Sequence, residues 1–325
     1  MLLELPDPCL LAVLQYCAVD DQRSLFNAAR AHSRLHQAAV LAFRSITTSA
    51  TQQQQVNSIL LYLCLHGQHI DSINLQGDKD CTLTLCQLPD MTQLSSLQLH
   101  GLKVQLPRGD DQQGVLAAAA PLKQLQLSNC LLLGGEWRLA AALAQLPNLE
   151  HLGIKDTSYY YDPPAASRTL APTYTLASVL QQLQCLTYLA LDDDLDMQAQ
   201  DLPGQPRLQH LQTLTRLADL RLDFFDSIRA SVITASVLSG AHQLTRLQLP
   251  GFAVEPGALA SKTQLQHLHL HNCRIIGGAV GVAQLLSHLQ QMQQLTYLDL
   301  EKSLLYDWLR DERGEPIRLK QEQGY

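Results

Sequence analysis

The chain has 325 residues, 46% hydrophobic but only 5% aromatic and 16% charged, so it has room for more than one domain and must fill its core with aliphatic side chains. A formal charge of −7 leaves no basic stripe to neutralise phosphates, which argues against nucleic acid as a partner. No apolar run reaches the roughly 18 residues of a membrane span, and Glu4 and Asp7 stand where a secretory leader needs positive charge. The acidic excess is local: between residues 149 and 226, eleven acids face five bases, a balance of −6. Eight cysteines are scattered through apolar segments without a Cys-x-x-Cys pair, as reduced thiols usually are. These features predict a cytoplasmic protein with no membrane partner, and a nuclear or cytoskeleton-associated place is also compatible.

At the start of the chain, Leu5-Pro6-Asp7-Pro8 suits a turn leading into a helix. Leu10, Leu11, Val13, Leu14 and Cys17 then recur at three and four residues, one apolar helical stripe. Asp20 and Asp21 can cap a second helix with Leu25, Ala28 and Ala29, and Ser33 a third with Leu35, Ala38, Ala39, Leu41 and Ala42. Three short helices make a core too small to be comfortable alone, so this module is expected to lean on a neighbour or partner. The order of features resembles an F-box. That resemblance implies binding of a Skp-type adaptor through Leu5, Pro6, Leu10, Val13, Leu14, Leu25 and Leu35, and through it a link to the cullin scaffold of a ubiquitin ligase. Pro8-Cys9 and Leu35 depart from the family pattern, which favours an acid followed by an aliphatic residue at the first place and an aromatic at the second. The other reading is a helical cap for a repeat array. Residues 52–55, with Val56, Ile59, Leu60 and Leu63, already look like a capping helix.

Beyond them the pattern Leu-x-x-Leu-x-Leu, with Ile allowed, occurs nine times, at residues 70–75, 94–99, 122–127, 149–154, 186–191, 217–222, 244–249, 265–270 and 295–300. A longer match, Leu125-Gln-Leu-Ser-Asn-Cys130, returns as Leu268-His-Leu-His-Asn-Cys273, 143 residues later. Nine occurrences 21 to 37 residues apart resemble leucine-rich-repeat proteins. Cys130 and Cys273 fall where that family places Asn or Cys; Asp78, Thr157 and Ser303 are polar stand-ins, and Leu102, Phe225 and Phe252 are departures. The resemblance implies an α/β solenoid with a parallel-strand concave face and a helical convex face. The domain reading is a three-helix module over residues 1–46, the solenoid with its capping helix over 47–306, and a charged tail over 307–325. Helical spacing at 137–145, 176–183, 231–239 and 279–292 marks the convex side. Tyr159, Tyr160 and Tyr161 suit neither strand nor helix and read as a packed insertion or an aromatic contact loop; 201–206 is a turn-rich connector.

Side chains alternate across a strand, so the last two leucines of each motif point inward and their flanking residues outward. Strands about 4.8 Å apart then line a surface on the order of 40 Å long, ample for an interface of about 800 Å² per partner. The early outward positions are neutral and polar. The later ones, Tyr188, Asp192, Asp219, Arg221, Asp223, Arg246, His267, His269, His271, Tyr297, Asp299 and Glu301, form the expected contact set for a protein substrate. The histidine ladder beside Asp299 and Glu301 could hold zinc, but without paired cysteines the polar contact patch is the preferred reading and no metal or other cofactor is expected. No nucleophile elbow, phosphate-binding loop or dinucleotide fingerprint is present in the sequence. The expected function is that of a non-catalytic substrate receptor of a cullin-type ubiquitin ligase; the alternative is a leucine-rich-repeat scaffold, for instance at a cytoskeletal site.

Overall fold

The computed structural model describes residues 5–20, 32–42, 44–85, 91–106, 121–160, 176–192, 208–223, 232–301 and 303. Helices α1 (Asp7–Asp20) and α2 (Ser33–Ala42) pack together, burying Leu10 and Leu14 from one and Leu35, Ala39 and Ala42 from the other. They correspond to the first and third helices expected from the sequence; the second, with Leu25, lies outside the described residues. Contacts divide the chain into two compact units, Met1–Leu149 with Ser158–Leu170, and Glu150–Thr157 with Ala171–Tyr325.

In the first unit, β1 (Ser45–Ala50), β2 (Ser72–Gly77), β4 (Ser96–His100) and β6 (Gln124–Ser128) are parallel neighbours in that order. The register aligns the motif leucines, Ile73 with Leu97 and Leu125, and Leu75 with Leu99 and Leu127. All six are buried, each strand covering the leucines of the next, as a repeat array requires. Strand β1 begins one turn earlier than the first motif and straddles the 46/47 boundary read from the sequence. Thr48 stands opposite Leu75 there, which hides the strand from a leucine search. Helix α3 (Gln53–His66) follows and buries Val56, Leu60 and Leu63.

The second unit repeats the plan with β8 (His151–Lys155), β10 (Tyr188–Asp192), β11 (Asp219–Asp223), β13 (Arg246–Gln248), β15 (His267–His269) and β17 (Tyr297–Asp299). Leu152, Leu189, Leu220, Leu247 and Leu268 align in register and are fully buried. The segments returning between strands are less helical than the sequence suggests. Helices α4 (Glu136–Leu143), α5 (Leu176–Leu180) and α6 (Gly278–Gln291) form as expected. Residues 232–239, in contrast, give strand β12 (Val232–Ile233) and turns; the β-branched run Val232-Ile233-Thr234 explains the preference.

β12 belongs to a second ladder with β14 (Ala253–Val254) and β16 (Arg274–Ile275). In the first unit, β3 (Thr82–Thr84), β5 (Lys103–Gln105), β7 (Leu131–Leu133) and β9 (Ser158–Tyr160) form its counterpart. Tyr159 and Tyr160 are therefore strand residues and not part of an irregular insertion; the rest of that loop, and the 201–206 connector, lie outside the described residues. Gln53 seals the edge of this ladder: its side-chain amide accepts from Thr82 N–H at 2.6 Å and donates to Thr82 C=O at 2.9 Å.

Between the two ladders the chain turns sharply at the eighth motif position. Gly101, Asn129, Asp156, Gly251 and Asn272 all have φ between 50° and 77°, a left-handed conformation open mainly to Gly, Asn and Asp. Among the described residues the next position is buried at Cys81, Leu102, Cys130, Thr157, Phe252 and Cys273. Lys103, Leu131, Ser158 and Arg274 donate their N–H groups to the carbonyls of Cys81, Leu102, Cys130 and Phe252. Cys81, and not Asp78, thus fills this place in the first motif, displaced by a three-residue insertion. Cys130 and Cys273 donate their thiols to the carbonyls of Leu99 (3.4 Å) and Leu249 (2.7 Å) in the preceding repeat. Burial pushes the Cys130 thiol up and that of Cys273 up to about 12, so these thiols stay protonated donors.

Among the described residues a further buried position lies three residues before the motif. Met91, Leu146, Leu183, Leu214, Ala241 and Met292 occupy it, and so does Lys262, which is 2% exposed. Its Nζ donates to the Leu238 carbonyl at 2.6 Å, and burial lowers its pKa below the ordinary lysine value.

Candidate protein-binding face

Equal spacing within each motif puts the outward residues of the second unit into rows. His151, Tyr188, Asp219, Arg246, His267 and Tyr297 are register partners from strand to strand. So are Gly153, Ala190, Arg221, Gln248, His269 and Asp299 one pleat further on. Asp192, Asp223, His271 and Glu301 stand at or just past the strand ends.

Side chains in these rows hold one another. The Tyr188 ring stacks on His151 at 5.9 Å and 25°, and the Arg221 guanidinium lies over the same tyrosine ring, 5.3 Å from its centroid. Arg221 also grips Asp219 with two hydrogen bonds, Nε to Oδ1 at 3.1 Å and Nη2 to Oδ2 at 2.9 Å. That pairing raises the Arg221 pKa further and fixes a planar fork that lysine could not form. Arg246 Nη1 reaches the same Asp219 oxygen at 3.3 Å. A continuous run of contacts therefore crosses β8, β10, β11 and β13.

The histidine ladder makes a second group. His267 meets Tyr297 at 5.9 Å, His269 Nδ1 lies 2.9 Å from Asp299 Oδ2, and His269 stacks on His271 at 5.9 Å and 13°. His271, Asp299 and Glu301 each place one ligand-type atom within 4.8 Å of the other two. Asp223 sits beside them electrostatically: burial, then the Asp192 carboxylate, raise its pKa above the usual carboxylate range.

Eleven of the twelve residues expected on this face are half-buried or exposed, with Tyr297 the most open among the aromatics at 49%. Asp192 is the exception. At 5% exposure its Oδ2 accepts the Asp156 N–H at 3.0 Å, so it braces the left-handed turn of the neighbouring repeat and cannot reach a partner. The expected adaptor contacts divide further. Pro6 and Val13 are exposed and Leu5 is half-buried, whereas Leu10, Leu14 and Leu35 are buried. Leu10 and Leu14 of α1 and Leu35 of α2 are spent on packing the two helices together, which leaves them little of the aliphatic surface that adaptor binding through them requires.

One concavity has little signature in the sequence. In the first unit Asn74, Gln76, Gln98, Leu99, His100, Gln126 and Ser128 line a cavity of about 330 Å³. It is polar and without formal charge unless His100 is protonated, and the amide-rich rows of β2, β4 and β6 are its only signal.

No protein-family profile and no curated protein matches the chain. Solved structures similar to it include a TDR receptor (15% identity, TM-score 0.47, covering 83% of this chain and 40% of that one). Another is the plant peptide hormone receptor RGFR1 in complex with RGF2 (15%, 0.37, 73% and 44%). A third is the functional domain of InlJ from Listeria monocytogenes, which includes a cysteine ladder (14%, 0.43, 82% and 55%). The chain spans about half or less of the length of each. Among the described residues, no helix is long and apolar enough to cross a membrane.

Proposed function

We propose that this chain is a non-catalytic binding protein of the leucine-rich-repeat type. The outward strand face of its second unit holds a protein partner, and residues 1–46 join it to a Skp-type adaptor, making it a substrate receptor of a cullin-type ubiquitin ligase in the cytoplasm. The observation that carries the binding reading is the pre-ordered run His151–Tyr188–Arg221–Asp219–Arg246. Tyrosine and arginine are the residue types that anchor interfaces. Side chains already held in place avoid about 0.5–1.5 kcal/mol each of ordering cost on binding. Six strands about 4.8 Å apart give this face a span of roughly 24 Å. In such a receptor the chain contributes proximity and orientation, and the ubiquitin-conjugating enzyme performs the chemistry.

The adaptor half is supported by the F-box-like order of features and by the exposure of Pro6, just before α1, and of Val13 on it. The burial of Leu10 and Leu14 favours a second reading, in which the helices only cap a scaffold. Calorimetric titration of the full chain with a purified Skp-type adaptor separates the two. The receptor reading expects a one-to-one complex that Val13→Asp abolishes without lowering the melting temperature. No complex with the wild-type chain would leave only the scaffold.

A further inference from the structure

We infer that the end of the histidine ladder is a binding site for a divalent transition metal of the zinc class, with His271, Asp299 and Glu301 as its protein ligands. His269 pairs with Asp299 across β15 and β17, and Asn272 donates its N–H to the Glu301 carbonyl at 2.9 Å, so the parallel course continues past the strand ends. Two imidazoles on one strand thereby face two carboxylates on the next, at the same two motif positions. One donor atom from each of His271, Asp299 and Glu301 already lies within 4.8 Å of the other two. Ligands of a tetrahedral zinc ion, bonded at about 2.0–2.1 Å, sit roughly 3.3 Å apart. His271 and Asp299 are half-buried and Glu301 is exposed, so all three side chains have room to rotate toward a shared ion.

Asp299 is held for this role from both sides. Its Oδ1 accepts the Glu301 N–H at 2.8 Å and its Oδ2 meets His269 Nδ1 at 2.9 Å. His269 is thus a positioning residue that holds the ligating carboxylate in place. One imidazole and two carboxylates suit zinc or a neighbouring first-row ion better than calcium, which takes six to eight oxygen ligands. Three ligands from the protein leave a fourth position open to water or to a donor from a bound partner. The site stands independently of the adaptor reading.

Titration of the full chain with zinc chloride, followed by calorimetry, tests this, with cobalt(II) absorption as a second readout. One zinc per chain is expected. His271→Ala and the near-isosteric Glu301→Gln should each weaken it tenfold or more, while His267→Ala, whose ring faces Tyr297, should not. The cobalt spectrum should lack a thiolate charge-transfer band. No uptake by the wild-type chain, uptake unaffected by Glu301→Gln, equal loss in His267→Ala, or a thiolate band would each overturn the assignment.

Discussion

Replacing Lys262 by Met should make the second unit more stable, and by an amount that depends on pH. Lys262 occupies a buried repeat position that Met91 and Met292 fill elsewhere, with its charge facing a single carbonyl. Burying an ion costs several kcal/mol after relaxation, and a charge-assisted hydrogen bond returns about 1.5–3 kcal/mol. The Leu238 carbonyl keeps the Ala241 N–H at 3.1 Å once the lysine is gone, so no acceptor is stranded. Methionine fills the same volume, and the net gain near neutral pH should be about 1–3 kcal/mol. For a unit of this size that corresponds to a rise of roughly 3–8 °C in melting temperature. Lys262→Ala, which opens a cavity instead, should gain less or lose stability. Burial lowers the lysine pKa below its ordinary 10.5, so the native chain releases its proton before the unfolded chain does. The advantage of methionine is therefore complete below the native pKa and fades as pH rises toward 10.5. Thermal melts of both proteins near neutral pH and again near pH 10 measure it. A less stable methionine variant at neutral pH, or an advantage unchanged at high pH, would refute the reasoning.

Gly101→Ala should cost about 1–3 kcal/mol, because its φ is +70° and a Cβ there would lie 2.5 Å from the Gly77 carbonyl oxygen; Asn129→Gly, at the same motif position, should be nearly silent in the same denaturation assay. Alkylation and peptide mapping should show exposed Cys9 and Cys64 modified quickly and Cys130 and Cys273 untouched in the native chain; fast labelling of Cys273 would contradict its place in the core. Asp223→Asn should melt slightly above wild type near neutral pH. Its raised pKa means the charge costs stability above that pKa, and the difference should vanish as pH falls toward and below 3.8.

The inner strands were legible because leucines at fixed spacing specify both strand and register, and register alone then sets the rows of outward residues. His269 beside Asp299 came out of that arithmetic. Other features left weaker traces. Strand β1 carries Thr48 opposite Leu75, where leucine would mark it. The second ladders have two or three residues per strand, too few to show a period. Cys81 was hidden by an insertion that shifted it three residues from the consensus place. The Gly/Asn/Asp turn position was written plainly in the sequence and needed only alignment of the repeats. What alignment could not reveal is side-chain direction. Arg221 turns to Asp219 and Tyr188, Asp192 turns inward to a neighbouring turn, and Leu10 and Leu14 turn to α2, each decided by three-dimensional contact.

The binding claim is tested most directly by placing a photo-crosslinking phenylalanine analogue at Tyr188 in one chain and at Val280 of α6, which is 68% exposed, in another. Illumination in cells should attach a discrete protein at position 188 and not at 280, and the adduct should weaken when Arg221 is replaced by Ala. Equal capture at both positions, or none at Tyr188, would contradict a partner-binding strand face.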